Sequence, residues 1–370
     1  MQTVRLFSWL CLWLSPVTHN KQDLIAHFQQ AEPQAWIALI QLSSEHLVTP
    51  ALYPLAVSKE LLVYIPADVL DYLKNVHQLN MQRNQALLKQ SLDIIDTLNA
   101  AGIEPLALKG IASLLSPLYP DIGMRVLGDI DLLIPKARLA DALTALRASG
   151  YVEAEENILD AYQAHHHAVP LIKAGALASV ELHHELIPVY AQNCLLTSAD
   201  CWQHAIALPL AQRQCYVLAI DNRLLHNFYH SQLGDRNYLR GKVSPRQALE
   251  WLYLYNNYTE QINFPACVER ARQAHLLTAL VAYQLSIEHY FKQTTPTLLT
   301  LTLSGRLQYW RERFKRQSSG FARVDDGLVA MMMGFNYVKQ FSAAALSLRY
   351  PHLPLSVARK LWLQKLKTRL

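Results

Sequence analysis

The sequence predicts an α+β fold in which a small mixed sheet is held between two helical regions. Three observations predict it. Long stretches at both ends repeat their apolar residues at helical spacing, and short alternating or continuous apolar runs cluster only between about 102 and 190. The changes of period fall at glycines placed to stop helices. The expected organisation is an N-terminal helical region (1–101), an α/β core (102–190) and a C-terminal helical region (191–370).

The first element begins at Arg5 and an apolar run from Leu6 to Val17, long enough for the core of a secretory signal. Thr18, His19, Asn20 and Lys21 offer no small-x-small cleavage site, however. Val4, Phe7, Leu10, Cys11 and Leu14 fall on one helical face, so a buried first helix is expected. The clearest helix runs from Pro66 to Ala101, carried by Leu70, Leu73, Val76, Leu79, Leu87, Leu88, Ile94, Ile95 and Leu98, with Gly102 as its stop.

After Gly102 the period shortens. Ile103 to Leu108 suits a buried strand, Ile111 to Leu115 a short helix, and Ser116 to Gly128 a loop. Asp129 to Ile134 is a strand, Pro135 opens a helix that ends near Ser149, and Tyr151-Val152 restarts extended chain. His165 to Ile172 and Ser179 to His184 read as strands joined by a hairpin over Lys173 to Ala178. From about 210 onward helices return, expected over 212–232, 244–257, 265–291, 323–348 and 355–368, with no internal repeat.

Composition narrows the function classes. Hydrophobic residues at 51% against 17% charged exclude intrinsic disorder. A net charge of +5 is too mild to require a nucleic-acid partner. The five cysteines include no C-x-x-C pair, which argues against a disulfide framework or zinc knuckle and for a reducing compartment. No stretch has the ~18 uninterrupted apolar residues of a membrane span, so a soluble, cytoplasmic protein without a membrane span is expected. Serine-hydrolase (G-x-S-x-G), P-loop and dinucleotide-binding (G-x-G-x-x-G) patterns are absent.

Three short segments carry chemistry. Leu108-Lys109-Gly110 is a strand end entering a helix, where a glycine admits a phosphate to the backbone and Lys109 adds a point charge. The plainer reading is an ordinary turn. Gly123, Arg125 and Gly128 then lead into Asp129-Ile130-Asp131-Leu132-Leu133. Alternation along a strand projects Asp129 and Asp131 together while Ile130 and Leu132 enter the core. Two such carboxylates repel unless a cation or proton lies between them, and oxygen ligands suit Mg2+ or Mn2+. In Ser179-Val180-Glu181-Leu182-His183, Glu181 and His183 share a face, and Glu181 completes a three-carboxylate cluster if the two strands are neighbours.

In this order, Leu108-Lys109-Gly110, Tyr119-Pro120-Asp121, Met124-Arg125, Gly128 to Leu133 and Val180 to His183 resemble the nucleotidyltransferase-like family of uncharacterised bacterial proteins, within the polymerase-β-type nucleotidyltransferase superfamily. The softer matches are Leu47 to Tyr53, Leu224 to His230 and the stretch from Leu348 to the end, so the resemblance covers most of the chain. It implies catalytic and metal-binding roles for Asp129, Asp131 and Glu181, and nucleotide-binding roles for Lys109, Gly110, Arg125 and Gly128. Ser113 and His183 would be accessory. The implied reaction moves an NMP group from an NTP to an acceptor that the residues do not identify: a small molecule, saccharide, peptide or RNA. The chain departs from the superfamily's glycine-serine turn, since Ile111 follows Gly110 and Ser113 comes a turn later. A catalytically inactive binding or regulatory protein is therefore the alternative.

Other candidates have plainer readings. His165, with His167 and His183, could share zinc, although a strand histidine hydrogen-bonded near the site is the simpler expectation. His226 and His230, at i and i+4, read as helix-face histidines packing on the α/β core, with a phosphate or substrate contact as the sharper option. Arg306, Arg311, Arg313, Lys315, Arg316 and Arg323, interleaved with aromatics, would suit RNA in a tRNA-modifying toxin, or simply a solvated helix face.

Overall fold

A computed structural model describes residues 2–18, 21–154, 167–187, 195–295 and 302–340. The fold is α+β, with a seven-stranded mixed sheet flanked by helices. By contacts the chain divides into a compact unit over Met1–Glu312 and a second over Arg313–Leu370.

The first unit opens with helices α1 (Gln2–Leu14), α2 (Lys21–Gln30), α3 (Pro33–Glu45) and α4 (Thr49–Ser58). Phe7, Leu10, Cys11 and Leu14 are buried as expected, and Trp9, Leu12 and Trp13 are buried too, so α1 is enclosed on nearly every side. Its carbonyl end is held by the buried Lys59, whose Nζ donates to the Leu12 and Trp13 oxygens at 3.3 and 2.7 Å. Helix α5 (Ala67–Ala100) spans 34 residues and ends where the left-handed Gly102 (φ +68) turns the chain into the sheet.

The sheet comprises β1 (Leu106–Ala107), β2 (Asp129–Leu133), β3 (Val152–Glu153), β4 (Leu171–Ile172), β5 (Ser179–His183), β6 (Ile206–Ala207) and β7 (Tyr216–Val217), in the order β3-β4-β5-β2-β1-β7-β6. β1 is antiparallel to β2, and β2 is parallel to β5. The hairpin expected at Lys173 to Ala178 joins β4 to β5. Two strands come from beyond residue 190: β7 runs parallel to β1, so residues 216 and 217 are sheet where helix was expected from 212. A two-residue strand has no period of its own, and this one exists because β1 offers it an edge.

The short helices α6 (Lys109–Leu115) and α7 (Leu139–Ala148) accompany the sheet. Ile130, Leu132, Val180 and Leu182 point into one core with Leu87, Ile94, Ile95 and Leu98 of α5. Leu106, Leu108 and Leu133 point the other way, into a core that includes α1. That core also takes in the later helices α9 (Ile220–Tyr229), α11 (Pro245–Tyr258), α12 (Phe264–Gln273) and α13 (Leu277–Phe291); the short α8 (Ser198–Gln203) and α10 (Asn237–Arg240) lie between them in sequence. The two helical regions thus share one core, with α1 packed on α13. The single helix expected over 265–291 is two, broken where His275 adopts φ +58. Helices α14 (Leu303–Gln317) and α15 (Ser319–Gln340) follow, and the helix expected over 355–368 lies outside the described residues. In the second unit Lys315 pairs with Asp325 and Asp326 at 2.7 and 2.6 Å. No described helix is long and apolar enough to cross a membrane.

Candidate functional site

Alternation along β2 places Asp131 on the same face as Leu133, the face that meets the later helices. The parallel register sets Asp131 opposite Glu181 and Leu133 opposite His183. Asp131 is 1% exposed. Its Oδ1 accepts from Lys109 Nζ at 2.6 Å and faces His183 Nε2 at 2.8 Å, while His183 Nε2 lies 3.6 Å from Glu181 Oε2. One donor atom each from Asp131, Glu181 and His183 fall within 4.8 Å of one another, a grouping that could hold a metal ion. The ring of His167 packs on His183 at 5.2 Å between centroids. His165, the other histidine of the zinc reading, lies outside the described residues.

The electrostatics follow from burial and pairing. Burial would raise the Asp131 pKa, but Lys109 and His183 outweigh it and hold this carboxyl well below the usual range. Burial opposes the charge on both partners, yet the carboxylate raises the pKa of Lys109 and of His183. The His183 imidazole lowers Glu181. Asp129 goes the opposite way: burial, then the Asp131 charge, raise it. Asp131, Glu181 and His183 combine two hard oxygen donors with one imidazole, a donor set that could hold a divalent cation.

Beside the cluster lies a cavity of about 150 Å3, whose lining includes Lys109, Gly110, Arg125, Gly128 and Asp129. Lys109 begins α6 at φ +49, a left-handed conformation costly for a residue with a Cβ. Gly110 is required by packing: a Cβ there would stand 2.8 Å from Leu127 Cγ. Ser113 is buried a turn later. Arg125 is anchored by its Nε to Glu250 Oε2 at 2.9 Å and by an Nη1 bond to the Val126 carbonyl at 2.8 Å. The loop that presents it is gripped from α5. Asn80 donates to the Gly123 and Arg125 oxygens, Asn84 to Ile122 and Arg125, and Arg83 to Leu127.

The cavity is completed by residues that sequence reasoning did not assign to it: Arg223, Arg246 and Glu250, from α9 and α11. Their only sequence signal was the charge itself, at positions inside the helices expected over 212–232 and 244–257. His226 and His230, expected to pack on the α/β core, also line it. Burial lowers both histidine pKa values, that of His226 well below its ordinary range. In the basic segment, Arg311 donates to the Leu239 carbonyl at 2.8 Å, so one of its charges already serves to hold the carbonyl end of α10.

A protein-family model described as an uncharacterised nucleotidyltransferase matches residues 32–292, and the chain belongs to that family. No curated protein and no solved structure matches it.

Proposed function

From that membership we propose that the chain is a divalent-metal-dependent enzyme that moves an NMP group from an NTP to an acceptor hydroxyl or phosphate. The observation that carries the reading is the parallel pairing of β2 and β5, which brings Glu181 opposite Asp131 across fifty residues of sequence. In this reading Asp131 and Glu181 would hold the cation, Mg2+ or Mn2+, with Asp129 as the further carboxylate of the same strand, and His183 would position Asp131 through its Nε2. When bound, the metal supplies Lewis-acid polarisation of the phosphate and charge neutralisation. Burial first, then the neighbouring Asp131 carboxylate, raise the proton affinity of Asp129 against the opposing charges of Lys109 and Arg125. Lys109, Gly110, Arg125 and Gly128 surround the cavity that would receive the nucleotide, and Ser113 supports α6 from within. Catalysis on such a site consists of positioning and charge stabilisation by preset groups.

The test is thermal unfolding with each NTP, with and without Mg2+, beside Asp131→Ala and the less buried Asp129→Asn. A ligand that binds only the folded state at a hundredfold excess over its Kd adds about 2.7 kcal/mol. The expected result is a rise that needs Mg2+ and is lost in both variants.

A second reading has its own observation. The Lys109 ammonium sits on Asp131 at 2.6 Å, and no serine follows Gly110, as in a protein that kept the fold for binding or regulation and lost catalysis. Nucleotide binding that needs no metal and survives Asp131→Ala would select it.

A further inference from the structure

Two arginines reach the cavity from different helices, and among the described residues neither has a carboxylate at ion-pair distance. Arg223 on α9 is 9% exposed, and its hydrogen bond to Ser113 Oγ is long, at 3.4 Å. Arg246 on α11 is half-buried and makes no hydrogen bond to a described residue. The contrast is Arg125 in the same wall, satisfied by Glu250 and a carbonyl. A guanidinium offers five donors, and buried polar groups are ordinarily bonded. Burial lowers the pKa of both arginines, and Arg125 adds repulsion at Arg246. Among the described residues the lining carries four cations (Lys109, Arg125, Arg223 and Arg246) and two carboxylates (Asp129 and Glu250); Asp131 already pairs with Lys109 and Glu250 with Arg125, which leaves Arg223 and Arg246 against Asp129, a surplus of positive charge.

The geometry selects the kind of anion. Arg223 and His226 lie three residues apart on the inner face of α9, and His230, four residues on, caps that helix and lines the same cavity. Arg246 faces the same cavity from α11, and Asp129 opens onto it from the sheet. A compact, multiply charged ligand can bond to donors on two helices while its other end lies beside the carboxylates. Lys109 is less free to serve, since its ammonium is bound to Asp131.

Resting on the reading above, we propose that Arg223 and Arg246, with His226 and His230 beside them, form the binding site for the polyphosphate tail of the donor nucleotide. The anchor of that tail then belongs to the helical region, and the Lys109-Gly110 turn is secondary.

The test is calorimetric titration of tripolyphosphate, in chelator and without divalent metal, into wild type, Arg246→Gln, Lys109→Ala and Asp131→Ala. Arg246 is the variant of choice because it is half-buried, and a circular-dichroism melt of Arg246→Gln checks that it folds. Wild type is expected to bind, more weakly as KCl rises. Loss of a charge-assisted guanidinium contact in Arg246→Gln should weaken binding about tenfold or more, and further than Lys109→Ala does. Asp131→Ala should retain or tighten binding, since it removes a negative charge. Absence of binding to wild type, equal binding by folded Arg246→Gln, or a greater loss in Lys109→Ala would each overturn the assignment. The two readings fail separately. Tripolyphosphate held through Arg246 with no Mg2+-dependent NTP binding leaves the anion site standing and removes the catalytic reading. NTP binding that needs Mg2+ and Asp131 but is indifferent to Arg246 does the reverse.

Discussion

Replacing Glu250 by Gln removes the carboxylate that faces every arginine of the cavity. Its Oε2 lies 2.9 Å from Arg125 Nε, with the two side chains 9% and 10% exposed, and its charge also supports those of Arg223 and Arg246. A unit pair at that distance is worth about 6 kcal/mol at an effective dielectric of 20, before desolvation. Removing one partner of a buried pair costs about 3–5 kcal/mol, because the other charge stays buried and uncompensated. Among the described residues, three neighbouring guanidinium groups would then face Asp129 as the remaining lining carboxylate, so the upper end of that range is expected. The assay is urea unfolding at pH 7 followed by circular dichroism, with and without tripolyphosphate. Wild type should exceed Glu250→Gln by about 3–5 kcal/mol, and the anion should restore part of the loss. A difference below about 1 kcal/mol, the range of an exposed pair, would refute the reasoning.

Other perturbations test separate parts of the structure. Burial pushes Lys59 down to about 7 from an ordinary 10.5, so folding releases its proton between those values. Stability should therefore rise with pH across that window, by up to about 1.4 kcal/mol per unit, and urea midpoints at pH 7, 8 and 9 should lose this slope in Lys59→Met. Gly110→Ala sets a Cβ 2.8 Å from Leu127 Cγ and should cost about 1–3 kcal/mol by thermal unfolding, less in a Leu127→Ala background. His275→Gly should stabilise by up to about 1 kcal/mol, since the left-handed break between α12 and α13 favours glycine. Lys109→Ala frees Asp131 from its 2.6 Å partner, so Mn2+ affinity measured by electron paramagnetic resonance should increase; unchanged affinity would mean that the ammonium does not compete there.

Much of the candidate site was readable because its parts are local. Asp129-x-Asp131 and Glu181-x-His183 each lie on one strand, and strand alternation decides which side chains face together without reference to the rest of the molecule. The long α5 was equally clear, because its apolar positions repeat over 34 residues and Gly102 ends it. Its buried Asn80 and Asn84, which grip the loop before β2, looked like ordinary polar positions, since their partners are carbonyl oxygens about forty residues away. The break at His275 left no mark either, because histidine continues a helix as readily as it turns one.

Local backbone geometry and the hydrophobic period by themselves determined the α+β class, the long helix and the two acidic strands. The tertiary structure alone decided that β2 and β5 are parallel neighbours, that β7 joins the sheet from residue 216, and that Lys109 rests on Asp131. It also decided that Arg223, Arg246 and Glu250 meet around one cavity. The physical reason is that a charged residue on an amphipathic helix has the same local sequence signature in water and in a wall of a site. Its role depends on which distant surface removes the water from it.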